Sequence, residues 1–458
     1  MLYLHKNGVT VIAKEEAKRG KVYDFNGEEY YVARSVADIK RIIESGEYPL
    51  NRVVTSKLKS LNYLFQIRAG GVKTTWDKSK GLTTVNTSLP ANFNDDITNW
   101  DTSNVLSMEE MFSGWPTFNQ DISNWDTSKV ESMHGMFKGS KYKGSYYLGD
   151  TSFNQDISKW NVSNVKNMSE MFLGATSFNQ NLNGWDVSNV ENMDYMFSGA
   201  TSFNQDLSNW DVSNVSSMKG MFSDVVAIGN AGNYDTHDFE YTRAGSTSFN
   251  QPIGNWDVSN VKDMSHMFSG ATSFNQDIGN WDVSNVNDMS YMFSGGILEA
   301  NQCPYGQYFL KSHRYGGGDN SPTSFNRDIS NWNVTNVEIM TGMFSNATSF
   351  NQPIGNWDVG NLWVMESMFS NAISFNQPIG NWDVSNVRYM SHMFSGATSF
   401  NQDLNGWGKL AGFKGMFYGA TSFNSPIGKC KLSSNSTSME NMFREATAFN
   451  QDISSWDV

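Results

Sequence analysis

The chain has 458 residues, and its 33 Lys or Arg against 46 Asp or Glu give a formal net charge of −13. Fifteen Trp, thirty Phe and twenty-four Met supply apolar surface while 17% of residues are charged, which agrees better with a secreted or particle-borne structural protein than with a cytosolic enzyme. Residues 1–65 hold eleven Lys or Arg against eight acids, leaving 22 against 38 for the acidic remainder, so nucleic acid, which demands clustered Lys and Arg, is excluded as a partner.

No apolar run approaches the ~20 residues of a bilayer span. The opening Met1-Leu-Tyr-Leu-His-Lys lacks the layout of a signal peptide, so either a signal has been removed or export does not use one.

Residues 1–65 are expected to form a small α+β cap. Gly8–Ala13 and Lys21–Phe25 are strand-like, and Asn26-Gly27 is a two-residue hairpin turn leading into Glu28–Ala33. Ser35 followed by Asp38 predicts a helix N-cap, and Val36, Ile39, Ile42 and Ile43 form one apolar face running to Gly46. Leu58-Lys-Ser-Leu61-Asn-Tyr-Leu64-Phe65 is a degenerate first copy of a unit that dominates the rest. Residues 66–92, rich in Gly, Thr, Lys and Ser, are expected to be a linking loop.

From Phe93 a unit of 25 residues, F-N-Q-D-I-x-N-W-D-V-S-N-V-x-x-M-x-x-M-F-S-G-A-T-S, recurs to residue 458 as twelve copies and part of a thirteenth. Insertions at 138–152, 223–248 and 294–324 all follow the Met-Phe pair, as after Phe137, Phe222 and Phe293, and so leave one edge of the stack. Such a period implies a solenoid in which each unit contacts its neighbours.

Alternation around Trp100 predicts a short strand at Ile97–Val105, with Trp100 and Thr102 inward and Asn99 and Asp101 outward. The spacing of Val105, Met108, Met111 and Phe112 predicts a 3₁₀ or short helical segment on the opposite wall. The expected fold is therefore α+β: a leucine-rich-repeat-like solenoid with a parallel β-sheet on one face and short helical or 3₁₀ segments on the other, preceded by the cap. At ~25 cal/mol per Å², a buried Trp is worth several kcal/mol per unit before entropy.

Cys430 stands where Trp stands in most units and is expected to be a core substitution. Cys303 lies in the third insertion, and a disulfide between the two would need that insertion to fold back.

The pattern F-N-Q-D-I-S-x-W-D-V-S-N-V-x-x-M-x-x-M-F resembles the bacterial surface-protein repeat of the BspA-type leucine-rich-repeat group, also common in mycoplasma lipoproteins. The resemblance covers residues 93–458 and implies surface display, with adhesion in the better understood members. Gly408-Lys-Leu-Ala replaces Asp-Val-Ser-Asn in the eleventh unit and the twelfth lacks its Trp, which puts sheet regularity there in doubt.

Four features are candidates for function. The Asn after each Phe, from Asn94 to Asn450, is either a ligand row or a buried amide ladder, the latter being preferred. An acidic row that includes Asp186, Asp211, Asp257, Asp282, Asp358 and Asp383 places like charges in successive units; hydrogen bonds from neighbouring Ser and Asn, a ladder of cations such as calcium, or a cationic partner would offset the repulsion. The insertions hold Tyr142, Tyr146 and Tyr147; Tyr234, His237, Tyr241 and Arg243; and Tyr305, Tyr308, His313, Arg314 and Tyr315, the residue types of recognition loops. The end at Trp456-Asp457-Val458 leaves a sheet edge open, which means either continuation or cover by another subunit.

No nucleophile motif or phosphate loop is present, and His134, His266 and His392 lie in non-neighbouring units. The expectation is a non-enzymatic recognition protein on a cell or virion surface, binding a protein receptor or a glycan through the aromatic insertions without an obligatory cofactor. The alternative is a structural subunit of a virion, fibre or surface layer that assembles with copies of itself.

Overall fold

A computed structural model describes residues 1–66, 72–77, 81–86, 95–141, 148–149, 151–228, 240–243, 247–295, 300–302, 308–310, 323–410, 412–432 and 438–456. They divide into two compact units, Met1–Trp210 and Asp211–Val458.

The first unit opens with β1 (Leu2–Leu4) antiparallel to β2 (Val11–Ala13). β3 (Val22–Phe25) and β4 (Glu28–Val32) follow as a hairpin whose turn residues Asn26 and Gly27 have φ of 56° and 82°, as the Asn-Gly pair requires. Helix α1 (Val36–Ser45) starts where Ser35 accepts the Asp38 N–H and ends on Gly46 in the left-handed region. Ile39 and Ile42 are fully buried on its inner face. After a 3₁₀ turn at Leu50–Arg52, β5 (Val53–Val54) pairs in parallel with β4.

The repeats begin earlier than the sequence suggests. Trp100 donates its indole N–H to Leu50 O at 2.9 Å, and Thr55 donates to Asp101 O, just as Trp125 donates to Ile97 O and Thr102 to Asp126 O. Leu50–Phe65 is therefore the first half-turn of the stack rather than an appendage to the cap.

Within each repeat the Val-x-x-Met-x-x-Met-Phe segment carries the bonding between repeats. Met108, Glu110, Phe112 and Gly114 donate their N–H groups to the carbonyls of Ser132, His134, Met136 and Lys138 at 2.7–3.0 Å. One repeat later Met133, Gly135, Phe137 and Gly139 donate to Asn167, Ser169, Met171 and Leu173. The carbonyl of residue 132 and the N–H of residue 133 belong to one peptide group. Four peptide groups per repeat thus point along the stack in the same sense. Fewer bonds run the other way, as from Glu131 N–H to Leu106 O at 2.8 Å.

Residues between the donors bond within their own repeat, Met111 N–H to Met108 O for example. This alternation places Glu110, Gly135, Glu170 and Tyr195 at φ of 47–58°. Three of these are not glycine, a conformation costing roughly 1–2 kcal/mol that the flanking inter-repeat bonds enforce.

Two expectations are corrected here. Ile97–Val105 and its equivalents up to the tenth repeat are not strands: Trp100 N–H bonds back to Ile97 O and Val105 N–H to Thr102 O. The segment expected to be helical instead holds the parallel bridges, Ser60 to Ser107 to Ser132 to Asn167 to Asn192 in the first unit. In the second unit they run Ser217 to Asp263 to Asp288 to Ile339 to Val364 to Tyr389.

The reason is turn chemistry. Asp96 and Asp101 each accept the N–H two residues ahead, from Thr98 and Ser103, and this local bond competes with a strand ladder. Consistently, the regular parallel pair within the repeats, Lys409–Leu410 with Lys431–Leu432, falls where Gly408 and Lys431 replace the turn-forming Asp, the place where regularity was doubted.

Within 66–92, expected to be a loop, the described residues form two antiparallel strands, β6 (Val72–Asp77) and β7 (Gly81–Asn86). The three insertions do the same, as β8 (Ser140–Lys141) with β9 (Leu148–Gly149), β10 (Val225–Ile228) with β11 (Glu240–Arg243), and β12 (Ala300–Gln302) with β13 (Tyr308–Leu310). The Lys409–Leu410 and Lys431–Leu432 strands are β14 and β15.

The core of each unit is aromatic. Trp100 and Trp125 stack with centroids 6.4 Å apart and planes 3° from parallel, and in the second unit Trp357 and Trp382 repeat this at 6.4 Å. The Phe after each Met stacks on the Phe that opens the next unit, 3.8 Å for Phe112 and Phe118. Cys430 takes the place of Trp as expected: it is buried and donates Sγ–H to Leu404 O at 3.3 Å, where a Trp would place its indole N–H.

Candidate interaction surface

Side chains within the repeats are largely consumed by the stack. Asn179 N–H donates to Asn154 Oδ1 and Asn204 N–H to Asn179 Oδ1, while in the second unit Asn351, Asn376 and Asn401 continue the same ladder at 2.9 Å. The Asn row is thus an amide ladder rather than a ligand row, half-buried at Asn179 and Asn351 and exposed at Asn204 and Asn401 where full burial was expected. A second ladder runs through the Asn before each Val, with Asn189 Nδ2 on Ser163 O at 2.7 Å.

The acidic row is held the same way. Asp186 Oδ1 accepts from Ser188, Asp211 from Ser213, Asp257 from Ser259, Asp282 from Ser284, Asp358 from Gly360 and Asp383 from Ser385, at 3.0–3.2 Å. Hydrogen bonds from Ser259 and Ser385 hold the carboxyls of Asp257 and Asp383 below the usual range. These local bonds give the recurrent Asp-x-Ser a role in each turn. Among the described residues, no three His, Cys, Asp or Glu side chains gather as a metal site.

The two residues between the Met pair vary from repeat to repeat, and in the first unit they form a polar network. Glu109 accepts from Asn62 Nδ2 at 3.2 Å and Ser132 Oγ at 2.8 Å. Glu110 is bonded by Gln66 and lies 3.9 Å from His134 Nε2, while His134 Nδ1 is 2.7 Å from Ser169 Oγ. Lys138 pairs with Glu170.

The Glu110–His134–Ser169 line has the residue types of a hydrolytic triad. It lacks the rest of one. The Ser169 N–H is taken by Asn167 Oδ1, the Glu170 N–H by Asp194 O and the Gly135 N–H by Ser169 O, so those amides are not free to stabilise an oxyanion. Ser169 Oγ is also 2.7 Å from Asn167 Oδ1 and is buried.

In the second unit the same positions hold His266 and Glu366, and the neighbouring bridge position holds Asp288. His266 stacks on Tyr291 with centroids 4.9 Å apart, and burial, with the Lys219 charge, pushes its imidazole down to about 3. Burial raises the Asp288 carboxyl despite its bonds to Ser290, and raises that of Glu366 to about 7.

The insertion residues predicted to bind divide into two groups. Tyr241 and Arg243 lie in β11, paired with Ala227 and Val225, and Tyr308 lies in β13, paired with Gln302. Tyr142, Tyr146, Tyr147, Tyr234, His237, Tyr305, His313, Arg314 and Tyr315 lie outside the described residues, as does Cys303.

Sequence reasoning missed a cluster in the repeats. The bridge residue is Ser, Asn or Asp from Ser60 to Asp288 but Ile339, Val364 and Tyr389 in three successive repeats, with Trp363 beside it. That column change was visible in the sequence.

The family described as "Mycoplasma protein of unknown function, DUF285" matches residues 59–145, 142–234, 230–302, 318–412 and 409–458. The chain belongs to this family. The match spans the first two insertions, leaves out residues 303–317 of the third, and starts at Lys59, inside the first half-turn of the DUF285 stack. Neither the curated proteins nor the solved structures hold a match to the chain. No described helix is long and apolar enough to cross a membrane.

Proposed function

We propose that this chain is a non-enzymatic recognition protein displayed on a cell or virion surface, whose repeats form a BspA-type, leucine-rich-repeat-like solenoid that carries hairpins to a protein receptor or a glycan. One observation carries the reading. Each of the three long insertions, like 66–92, enters after the Met-Phe pair or its Leu64-Phe65 equivalent and carries an antiparallel strand pair.

The entry point has a physical reason. Inter-repeat backbone bonds run as far as the residue two after that Phe, Asp224 N–H to Ser269 O or Gly295 N–H to Ser345 O, and the Asn ladder resumes after the next Phe. The stretch between is held mostly by local turns, such as Thr176 N–H to Gly174 O. Chain added there interrupts little of the ladder and adds only loop-closure entropy, which grows slowly with length. The repeats supply rigidity and the hairpins supply the variable surface, rich in Tyr and Arg at positions such as Tyr241, Arg243 and Tyr308.

The test is deletion of residues 294–324, with glycan-array and cell-binding assays beside light scattering. Loss of target binding with unchanged size and tryptophan emission is expected. Loss of self-assembly with target binding intact would instead establish a structural subunit of a fibre, layer or virion.

A further inference from the structure

Glu366 is the first residue between a Met pair, the position of Glu109 in the first unit. Glu109 is satisfied by Asn62 of the preceding repeat and Ser132 of the following one. At Glu366 those places hold Thr341 and Tyr389, and no hydrogen bond or ion pair joins its carboxyl to any described residue. The side chain is nevertheless inside, with the residue 4% exposed. Other repeats bury a small hydroxyl here, Ser265 or Ser290. A buried carboxyl without a partner is costly, and the stack does not require it.

The surroundings change in the same three repeats. Tyr389 occupies the bridge position that in Glu109's neighbour is Ser132, and Trp363, half-buried where most repeats carry an exposed Lys, Glu or Asn, meets it edge-on with centroids 6.1 Å apart and planes at 67°. Inter-repeat bonds fix the backbone that carries both rings: Trp363 N–H bonds Glu338 O at 3.1 Å, Arg388 N–H bonds Trp363 O at 2.9 Å, and Met365 N–H bonds Tyr389 O at 2.9 Å. By register Tyr389 stands where Ser132 meets the Glu109 carboxylate, so the repeat positions bring two angled aromatic residues and a carboxylate together, the elements that hold an organic cation.

A primary ammonium would bring three N–H groups needing acceptors, and a guanidinium five. A quaternary ammonium has none, and needs only aromatic faces and a negative charge. We infer that Trp363, Tyr389 and Glu366 form a binding site for a quaternary ammonium group, as in choline or a choline-bearing lipid headgroup. The site lies on the repeats, so it stands or falls independently of the hairpin reading.

Choline chloride and tetramethylammonium chloride are the probes, titrated into the full chain against potassium chloride at equal ionic strength. Heat and tryptophan emission are the readouts. Saturable binding by both probes and not by potassium is expected, weakened at least about tenfold by Glu366→Gln and by Trp363→Leu.

Because burial holds the Glu366 carboxyl at about 7, wild-type affinity should rise with pH through that value, and the slope should vanish in Glu366→Gln. That slope keeps the test decisive if Trp363→Leu misfolds. Vesicles of phosphatidylcholine against phosphatidylglycerol then assign the source: retention on the former identifies a lipid headgroup, and binding of free choline alone identifies the soluble compound. Absence of saturation at about 50 mM of either probe, or equal binding by Glu366→Gln, overturns the assignment.

Discussion

Gly342→Ala isolates the side-chain stacking that the alternating backbone imposes. Gly342 has φ of 57°, and a Cβ there would lie 2.3 and 2.4 Å from Cε1 and Cδ1 of Tyr291 in the preceding repeat. The Tyr291 ring cannot retreat, being 5% exposed and stacked at 4.9 Å on His266. The left-handed conformation costs an alanine roughly 1–2 kcal/mol and overpacking adds about 1–3, so the variant should lose about 2–5 kcal/mol.

Ser367→Ala is the control. The same position one repeat later, with φ of 54°, already holds a side chain and should change by less than about 1 kcal/mol. Urea unfolding with amide exchange of the 291 and 342 segments measures both, since long repeat arrays need not unfold in one step. In a Tyr291→Ala background the Gly342→Ala cost should fall to the backbone share alone, a coupling of about 1–3 kcal/mol. A Gly342→Ala cost unchanged by removing Tyr291 would refute the stacking argument.

Three further outcomes follow from the other contacts. Burial opposes ionisation of Asp38, but hydrogen bonds from Arg34 and the Tyr31 hydroxyl outweigh it and bring the carboxyl to about 2. Its contribution is present above the unfolded value of 3.8 and lost as pH falls through about 2. Over that window the cap should lose about 2 kcal/mol in acid titration, and Asp38→Asn should flatten the slope. Burial raises the Cys430 thiol to about 11, so mass spectrometry after iodoacetamide at pH 8 should show modification only once the chain is denatured. Asn351→Ala leaves the Asn376 N–H and Gln377 Nε2 without their shared acceptor and should cost about 2 kcal/mol in thermal unfolding, most of which Asn351→Asp should restore.

The cap was legible because its signals are local. Asn26-Gly27 demands positive φ, and Ser35 with Asp38 writes a helix start into four residues. The repeat period, its aromatic interior and the amide ladder were legible for the same reason that the chain repeats. The sides were not. Alternation around Trp100 reads as a strand in any pattern of apolar and polar residues, yet each Asp and Asn that supplies the polar half caps its own backbone. The Met-x-x-Met spacing reads as helical, but its period of three serves a left-handed residue between pairs of axial peptide bonds. Hairpins were hidden because turn residues in 66–92 and the insertions are shared with loops.

The distribution of polar residues constrains where recognition can reside. Asn, Asp, Ser and the indole N–H, the groups that would ordinarily signal a binding face, are engaged mostly by their own or neighbouring repeats: Trp357 on Ile329 O, Asn361 on Thr335 O, Asn376 on Asn351, Asp383 on Ser385. A ligand drawn to them would have to displace bonds on which the stack depends. What remains free to vary is the pair between the Met residues, the bridge residue with its exposed neighbour, and the hairpins. Those are also the places where the period breaks, by insertion after Phe293 and by substitution at Trp363, Glu366 and Tyr389. In a chain so regular, a residue that departs from its column without improving the stack is the most economical sign of a partner outside it.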